Sequence, residues 1–234
     1  MFRNRTAFIA LAACSLAACA TAADRRDDRQ VSGFHALALG ANVKLEVIQD
    51  GSESLDLQGD AEMLDRIETY VQDGTLHIRY RNGTQNWSDK GVSGVLHART
   101  LDRVALAGTG QIHSRALKGD SLAVAVSGTG DVNIGDMQAK SARLSVSGTG
   151  TVSVAGRAEE LQARISGTGD VKAARLETQR ADVSIAGTGD ATVWARDKLA
   201  AAVSGMGSVR YYGDPGVTKR VAGLGSVKRI AATP

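Results

Sequence analysis

A glycine–any residue–glycine triplet recurs seven times between residues 108 and 225 of this chain. The triplets open at Gly108, Gly128, Gly148, Gly167, Gly187, Gly205 and Gly223, and close at Gly110, Gly130, Gly150, Gly169, Gly189, Gly207 and Gly225. Successive openings lie 20, 20, 19, 20, 18 and 18 residues apart, and a nearly fixed period of that length marks a solenoid or array. A flexible linker would repeat only its glycines, whereas here the flanks repeat too. Two residues before each opening stand Leu106, Val126, Val146, Ile165, Ile185, Val203 and Val221. Four residues after it stand Ile112, Val132, Val152, Val171, Ala191, Val209 and Val227. Even offsets share one face of an extended chain, because strand side chains alternate sides. The odd offsets are polar or small, as in Ser127, Thr129 and Asp131. No helical period is present, so the repeat region reads as β throughout.

Both glycines of each triplet fall on the inward parity, and the residue between them points outward. An inward glycine means that a Cβ would clash there. Seven such points in matching places imply that the copies are stacked. The expected fold is all-β: a right-handed parallel β-helix (β-solenoid) with coils of about 20 residues and like residues about 4.8 Å apart between coils. A propeller blade needs about 40 residues or more. Dinucleotide and P-loop readings fail for want of the third glycine, the lysine and the following helix. Met206 and Leu224 replace the central threonine in the last two triplets, and Lys219 and Arg229 enter inward columns. Charge on an unpaired edge guards against aggregation, so the solenoid is expected to end near residue 230.

The chain begins MFRNRTAFIALAACSLAACATAAD. Two arginines precede an apolar run too short to span a bilayer, which reads as a secretory signal. Leu16-Ala17-Ala18-Cys19 is similar to a bacterial lipobox, so residues 1–18 are expected to be a lipoprotein signal peptide and Cys19 the lipidated first residue. Ordinary cleavage after Ala22 is the alternative. Either way no cysteine is left for a disulfide. Removing Arg3 and Arg5 leaves 26 basic against 25 acidic residues, a net +1, which lacks the electrostatic footprint of a nucleic-acid binder. Residues 19–30, with alternating charge signs, read as a flexible tether. Residues 31–234 read as a single solenoid domain, with a non-triplet β region over 31–100 and repeat coils over 101–230.

The non-triplet region alternates as strands do, with Leu37/Leu39, Val43/Leu45/Val47 and the stretch GTLHIRYRNG. Only DAEMLDRIETYV places Met63, Leu64, Ile67 and Val71 at helical offsets, predicting a short helix or turn that covers one end of the stack. Residues 87–93 read as loop. Phe34, ALALGANVKLEVIQDG, LDLQGD, LDRIETYVQDGTLHIRY and the repeated SGTGDV units together resemble the head GIN domain family of auto-transporter adhesins, over residues 31–230. The resemblance implies a right-handed β-helix on an exported, often lipid-anchored bacterial protein. It carries over no catalytic residues.

The candidate surface ladder consists of Thr109, Thr129, Thr149, Thr168 and Thr188 with Asp131, Asp170 and Asp190. Stacked carboxylates about 4.8 Å apart repel, and a hard cation such as calcium would relieve that. Two monodentate groups are too few ligands, so solvated aspartates are expected, with no metal and no cofactor. A flat threonine row could bind a glycan or ordered water, although threonine also simply suits an exposed strand. His35, His77, His97 and His113 show no ligand spacing, and Trp194 is expected to pack under a neighbouring loop. The expected role is a non-enzymatic cell-envelope lipoprotein, adhesin-like, holding the membrane through its lipid anchor and a protein or glycan through a polar face. Its expected place is the outer membrane, or alternatively the periplasm or the medium. The other reading is a polysaccharide lyase or hydrolase built on Asp170 and Asp190 with Arg164 or Lys172.

Overall fold

A computed structural model describes residues 24–81 and 91–234. Residues 1–23, which hold the expected signal segment and Cys19, and the stretch 82–90 lie outside the described residues. The N-terminal part contains β1 (Asp24–Arg29), β2 (Ala36–Leu39), β3 (Val43–Gln49), β4 (Ser54–Asp60), α1 (Ala61–Arg66), β5 (Ile67–Gln72), β6 (Thr75–Tyr80), β7 (Val92–Ala98) and β8 (Arg103–Leu106). The repeat region contains β9 (Thr109–Val126), β10 (Thr129–Val146), β11 (Thr149–Ile165), β12 (Asp170–Ile185), β13 (Ala191–Val203), β14 (Ser208–Tyr212), β15 (Gly216–Val221) and β16 (Ser226–Ala231). Together they form a β-solenoid of about six coils.

Each long strand supplies two flanks of its coil. The first half of β9 pairs with β3 and the second half with β8. From β9 to β13 the pairing is parallel and in step on the two flanks: Thr109, Thr129 and Thr149 share one row, and Val126, Val146 and Ile165 another. The even-offset columns are buried along this stretch, from Ile112 through Val132, Val152 and Val171 to Ala191. Each fully buried valine, leucine or isoleucine contributes about 1.5–3 kcal/mol, so the columns serve as one continuous core.

The glycine corners show why the repeat is obligatory. A Cβ on Gly128, Gly148, Gly167, Gly187, Gly205 or Gly223 would lie inside 3.0 Å of the carbonyl oxygen of the opening glycine one coil earlier. The closing glycines from Gly130 to Gly225 stand in the same relation to one another. The missing side chain would therefore point along the stack, into backbone. That same carbonyl accepts the next coil's hydrogen bond, as in Thr149 N–H to Gly128 O at 3.0 Å and Thr168 N–H to Gly148 O at 3.0 Å. The first triplet rests on a corner with no triplet of its own, since a Cβ on Gly108 would meet Gly40.

Two expectations need correction, and a third holds in part. Asp24–Arg29, expected within a tether, is a strand antiparallel to β4. Its charges are engaged rather than loose: Arg26 pairs with Asp56 while staying exposed, Arg25 reaches Asp65 at 2.6 Å, and Arg29 donates to Leu64 O at 3.1 Å. The expected short helix is present over Ala61–Arg66, capped where Asp60 accepts from Glu62 N–H. The β-branched alternation of Ile67, Thr69 and Val71 then continues as β5, antiparallel to β6. Val92 and Ser93, expected in a loop, open β7, which runs antiparallel to β4 and parallel to β3. The N-terminal end is thus a cap of mixed direction, with Met63 and Leu64 of α1 buried against the core.

Candidate binding face

The outward side of the first flank collects the predicted ladder. Thr109, Thr129, Thr149, Thr168 and Thr188 are all exposed, each directly after an opening glycine. Thr168 and Thr188 form a parallel bridge of their own. Two residues on, Asp131, Thr151 and Asp170 share one register column. The corner turns each threonine outward because its neighbours on both sides are the glycines that meet the coil below.

The carboxylates are neither free in solvent nor gathered for a metal. Asp131 Oδ1 accepts Thr151 N–H at 3.0 Å, Asp170 Oδ1 accepts Asp190 N–H at 2.9 Å, and Asp190 Oδ1 accepts Ser208 N–H at 2.8 Å. Each aspartate thus ties its coil to the one above through the backbone. Arg210 meets Asp190 Oδ2 at 2.9 Å and offsets the repulsion that stacking two carboxylates creates. Among the described residues no cluster of three or more histidine, cysteine, aspartate or glutamate side chains could hold a metal ion. Lys172 is exposed on the same strand as Asp170, whereas Arg164 lies before the corner, in register with Ser145 and Ser184 on the second flank. The four residues therefore do not converge on one cleft.

The fold assembles other constellations that sequence reasoning missed. Asp50 Oδ1 accepts the Ser52 hydroxyl at 2.7 Å, and Asp50 Oδ2 lies 2.6 Å from His97 Nδ1. The Ser52 hydroxyl, then His97, then the Ser52 N–H hold the Asp50 carboxyl down at a pKa of about 2. Serine bonds the acid and not the imidazole, so His97 is not placed to take the serine proton as a nucleophile's base would. On the bend between the flanks, Glu177 is clamped by Arg157 at 2.9 Å and Arg196 at 2.8 Å, with only 16% of its side chain exposed. This clamp lines an open groove of about 700 Å³ with Gln138 and Gln179, and its one carboxylate serves both guanidinium groups. His77 stacks on Tyr70 with ring centroids 4.8 Å apart, and Arg79 covers the same tyrosine ring at 5.0 Å. Trp194 is half-buried, and its carbonyl accepts the buried Thr178 hydroxyl at 2.7 Å. None of these could be read from spacing, because the strand pairs that create them lie in the cap or across register shifts.

Comparison with known proteins matches this architecture. A structure described as a "putative adhesin" from Bacteroides fragilis NCTC 9343 superimposes with a TM-score of 0.82 at 26% identity, covering 89% of this chain and 97% of that one. A second protein so described, from Parabacteroides merdae ATCC 43184, gives a TM-score of 0.69 at 20% identity, covering 88% and 96%. A "putative lipid binding protein" from Parabacteroides distasonis ATCC 8503 gives 0.71 at 19% identity, also covering 88% and 96%. The latter two likenesses speak to the fold alone. No curated protein matches the chain in sequence. The family model described as "Putative auto-transporter adhesin, head GIN domain" matches residues 33–215; with most of its length so matched, the chain belongs to the head GIN domain family.

Proposed function

We propose that this protein is a non-enzymatic lipoprotein of the cell envelope, held through Cys19, that recognises a protein or glycan through its threonine face. The observation that carries the reading is the state of the hydroxyls. From Thr109 to Thr188 five exposed threonines stand in one row, and among the described residues none of their hydroxyls has a partner. Repeated hydroxyls at coil spacing, about 4.8 Å, offer donors and acceptors that a multivalent ligand can engage together. The adhesin-type family agrees with such a role. The lyase or hydrolase reading has less support, because Asp170 and Asp190 already accept backbone N–H groups of the following coil.

The test is the triple variant Thr129→Val, Thr149→Val and Thr168→Val, which keeps the β-branched shape and removes only the hydroxyls. Binding to a glycan array and to immobilised extracellular-matrix proteins should fall at least about tenfold, since each lost hydrogen bond is worth about 0.5–1.5 kcal/mol. Unchanged binding would remove the face from the proposal. Separately, Cys19→Ser should move the protein from the membrane to the soluble fraction, and undiminished membrane retention would overturn the anchor.

A further inference from the structure

The solenoid is finished at one end only. The N-terminal mouth is closed by α1 and by antiparallel strands. At the other end, among the described residues, β15 pairs only with β13 and β16 only with β14, so each presents one edge of backbone N–H and C=O groups with no strand beside it. Core columns surface there: Val203 is 1% exposed, whereas Val221, its register partner in the next coil, is 44% exposed. Among the described residues the exposed large apolar side chains are Met206, Val217, Val221, Leu224 and Ile230, all at this end, with Leu224 at 89%. Lys219, Arg220, Lys228 and Arg229 are interleaved with them and exposed. From residue 206 onward Asp214 is the one acidic residue, and it pairs with Arg229 at 3.1 Å.

Lysine on an edge strand guards against aggregation, but protection alone does not require the apolar columns to continue into the last rung. A second copy meeting this one end to end would oppose four cations with four cations, and like charges directly opposite destabilise strand pairs. What complements the rung is an extended chain of opposite sign. We propose that the last rung, β15 and β16, is an acceptor edge for a strand of a partner protein that mixes acidic and apolar residues. Its backbone continues the ladder, as in β-strand addition. Along β15 the order Val217, Thr218, Lys219, Arg220, Val221 selects apolar, polar, acidic, acidic, apolar in the facing strand. Apolar side chains of the partner cover Val217 and Val221, and its carboxylates meet Lys219 and Arg220. The proposal involves no residue of the threonine row, so it stands or falls apart from the function proposed above.

The probe is a fluorescein-labelled peptide with Val-Thr-Glu-Glu-Val at its centre, compared with one in which both glutamates are lysines. Fluorescence anisotropy with the intact protein should show binding of the acidic peptide only. It should weaken about tenfold or more in the Lys219→Glu, Arg220→Glu double variant, since both attractive charge contacts then become repulsive. The same variant should gain the lysine peptide, a rescue that an unfolded protein could not show. Equal binding of the two peptides, or no binding of either, would overturn the proposal. So would concentration-dependent self-association through this end in sedimentation velocity, or capture of phosphatidylglycerol vesicles without the acidic peptide.

Discussion

Gly148→Ala isolates the stacking argument, because Gly148 is not among the glycines with positive φ and the added methyl tests space alone. The new Cβ falls inside 3.0 Å of Gly128 O, so the corner must lift. Lifting weakens Gly148 N–H to Val126 O at 3.3 Å and Thr149 N–H to Gly128 O at 3.0 Å. Each of these bonds is worth about 0.5–1.5 kcal/mol net, and overpacking adds about 1–3 kcal/mol. Stiffening of the unfolded chain returns about 0.4–1 kcal/mol, leaving a destabilisation of about 1–5.6 kcal/mol. For a domain of this size that is about 2–22 °C in melting temperature. The control is Gly216→Ala, where the nearest atom to a new Cβ is Asp197 O at 3.7 Å, an ordinary contact. Thermal melts followed by circular dichroism should separate the two variants by several degrees. If they melt together, the corner glycines are not required by the coil beneath them, and the account of the repeat fails.

Three further outcomes follow from the same structure. Asp190→Ala releases Ser208 N–H and Arg210 and should cost about 0.5–1.5 kcal/mol in urea denaturation, while calcium leaves the melting temperature of the parent protein unchanged. Thr178→Val keeps the shape but leaves Trp194 O without its buried donor, for a loss of about 1–3 kcal/mol in the same titration. Asp50 has a folded pKa of about 2 against 3.8 ordinarily. Its contribution to stability is therefore complete above the ordinary value and is lost as pH falls from there through about 2. Melting temperatures of Asp50→Asn should lack that portion of the acid dependence, and a parallel pH curve for the variant would contradict the assigned network.

The coils were legible because identical demands recur at identical places. Gly128, Gly148 and Gly167 face the same carbonyl problem, and Val132, Val152 and Val171 the same interior. The cap was not legible, because each of its contacts occurs once. Nothing in the spacing pairs β4 antiparallel with β7, and without that pairing the alternating charges of Asp24–Arg29 read as solvated. The aspartate column was visible, but its partner was not, since the acceptor role depends on the backbone N–H of the following coil. The Arg157–Glu177–Arg196 clamp was hidden further by register shifts between Ser153 and Ala155 and between Ala173 and Glu177. Counting residues from the glycines misaligns these three.

Those shifts have a consequence for how such a molecule can be altered. Differences in coil length, from 20 residues down to 18, are taken up on one seam, while the corners from Thr129 over Thr149 stay in step. An extra residue on the first flank would turn every later side chain of that strand inside out. On the seam the same residue only deepens a bulge. Foreign loops can therefore be grafted beside Ala155 or Arg175 with both flanks left intact, so the rod serves as a ruler whose graduations are fixed and whose margin is free for writing.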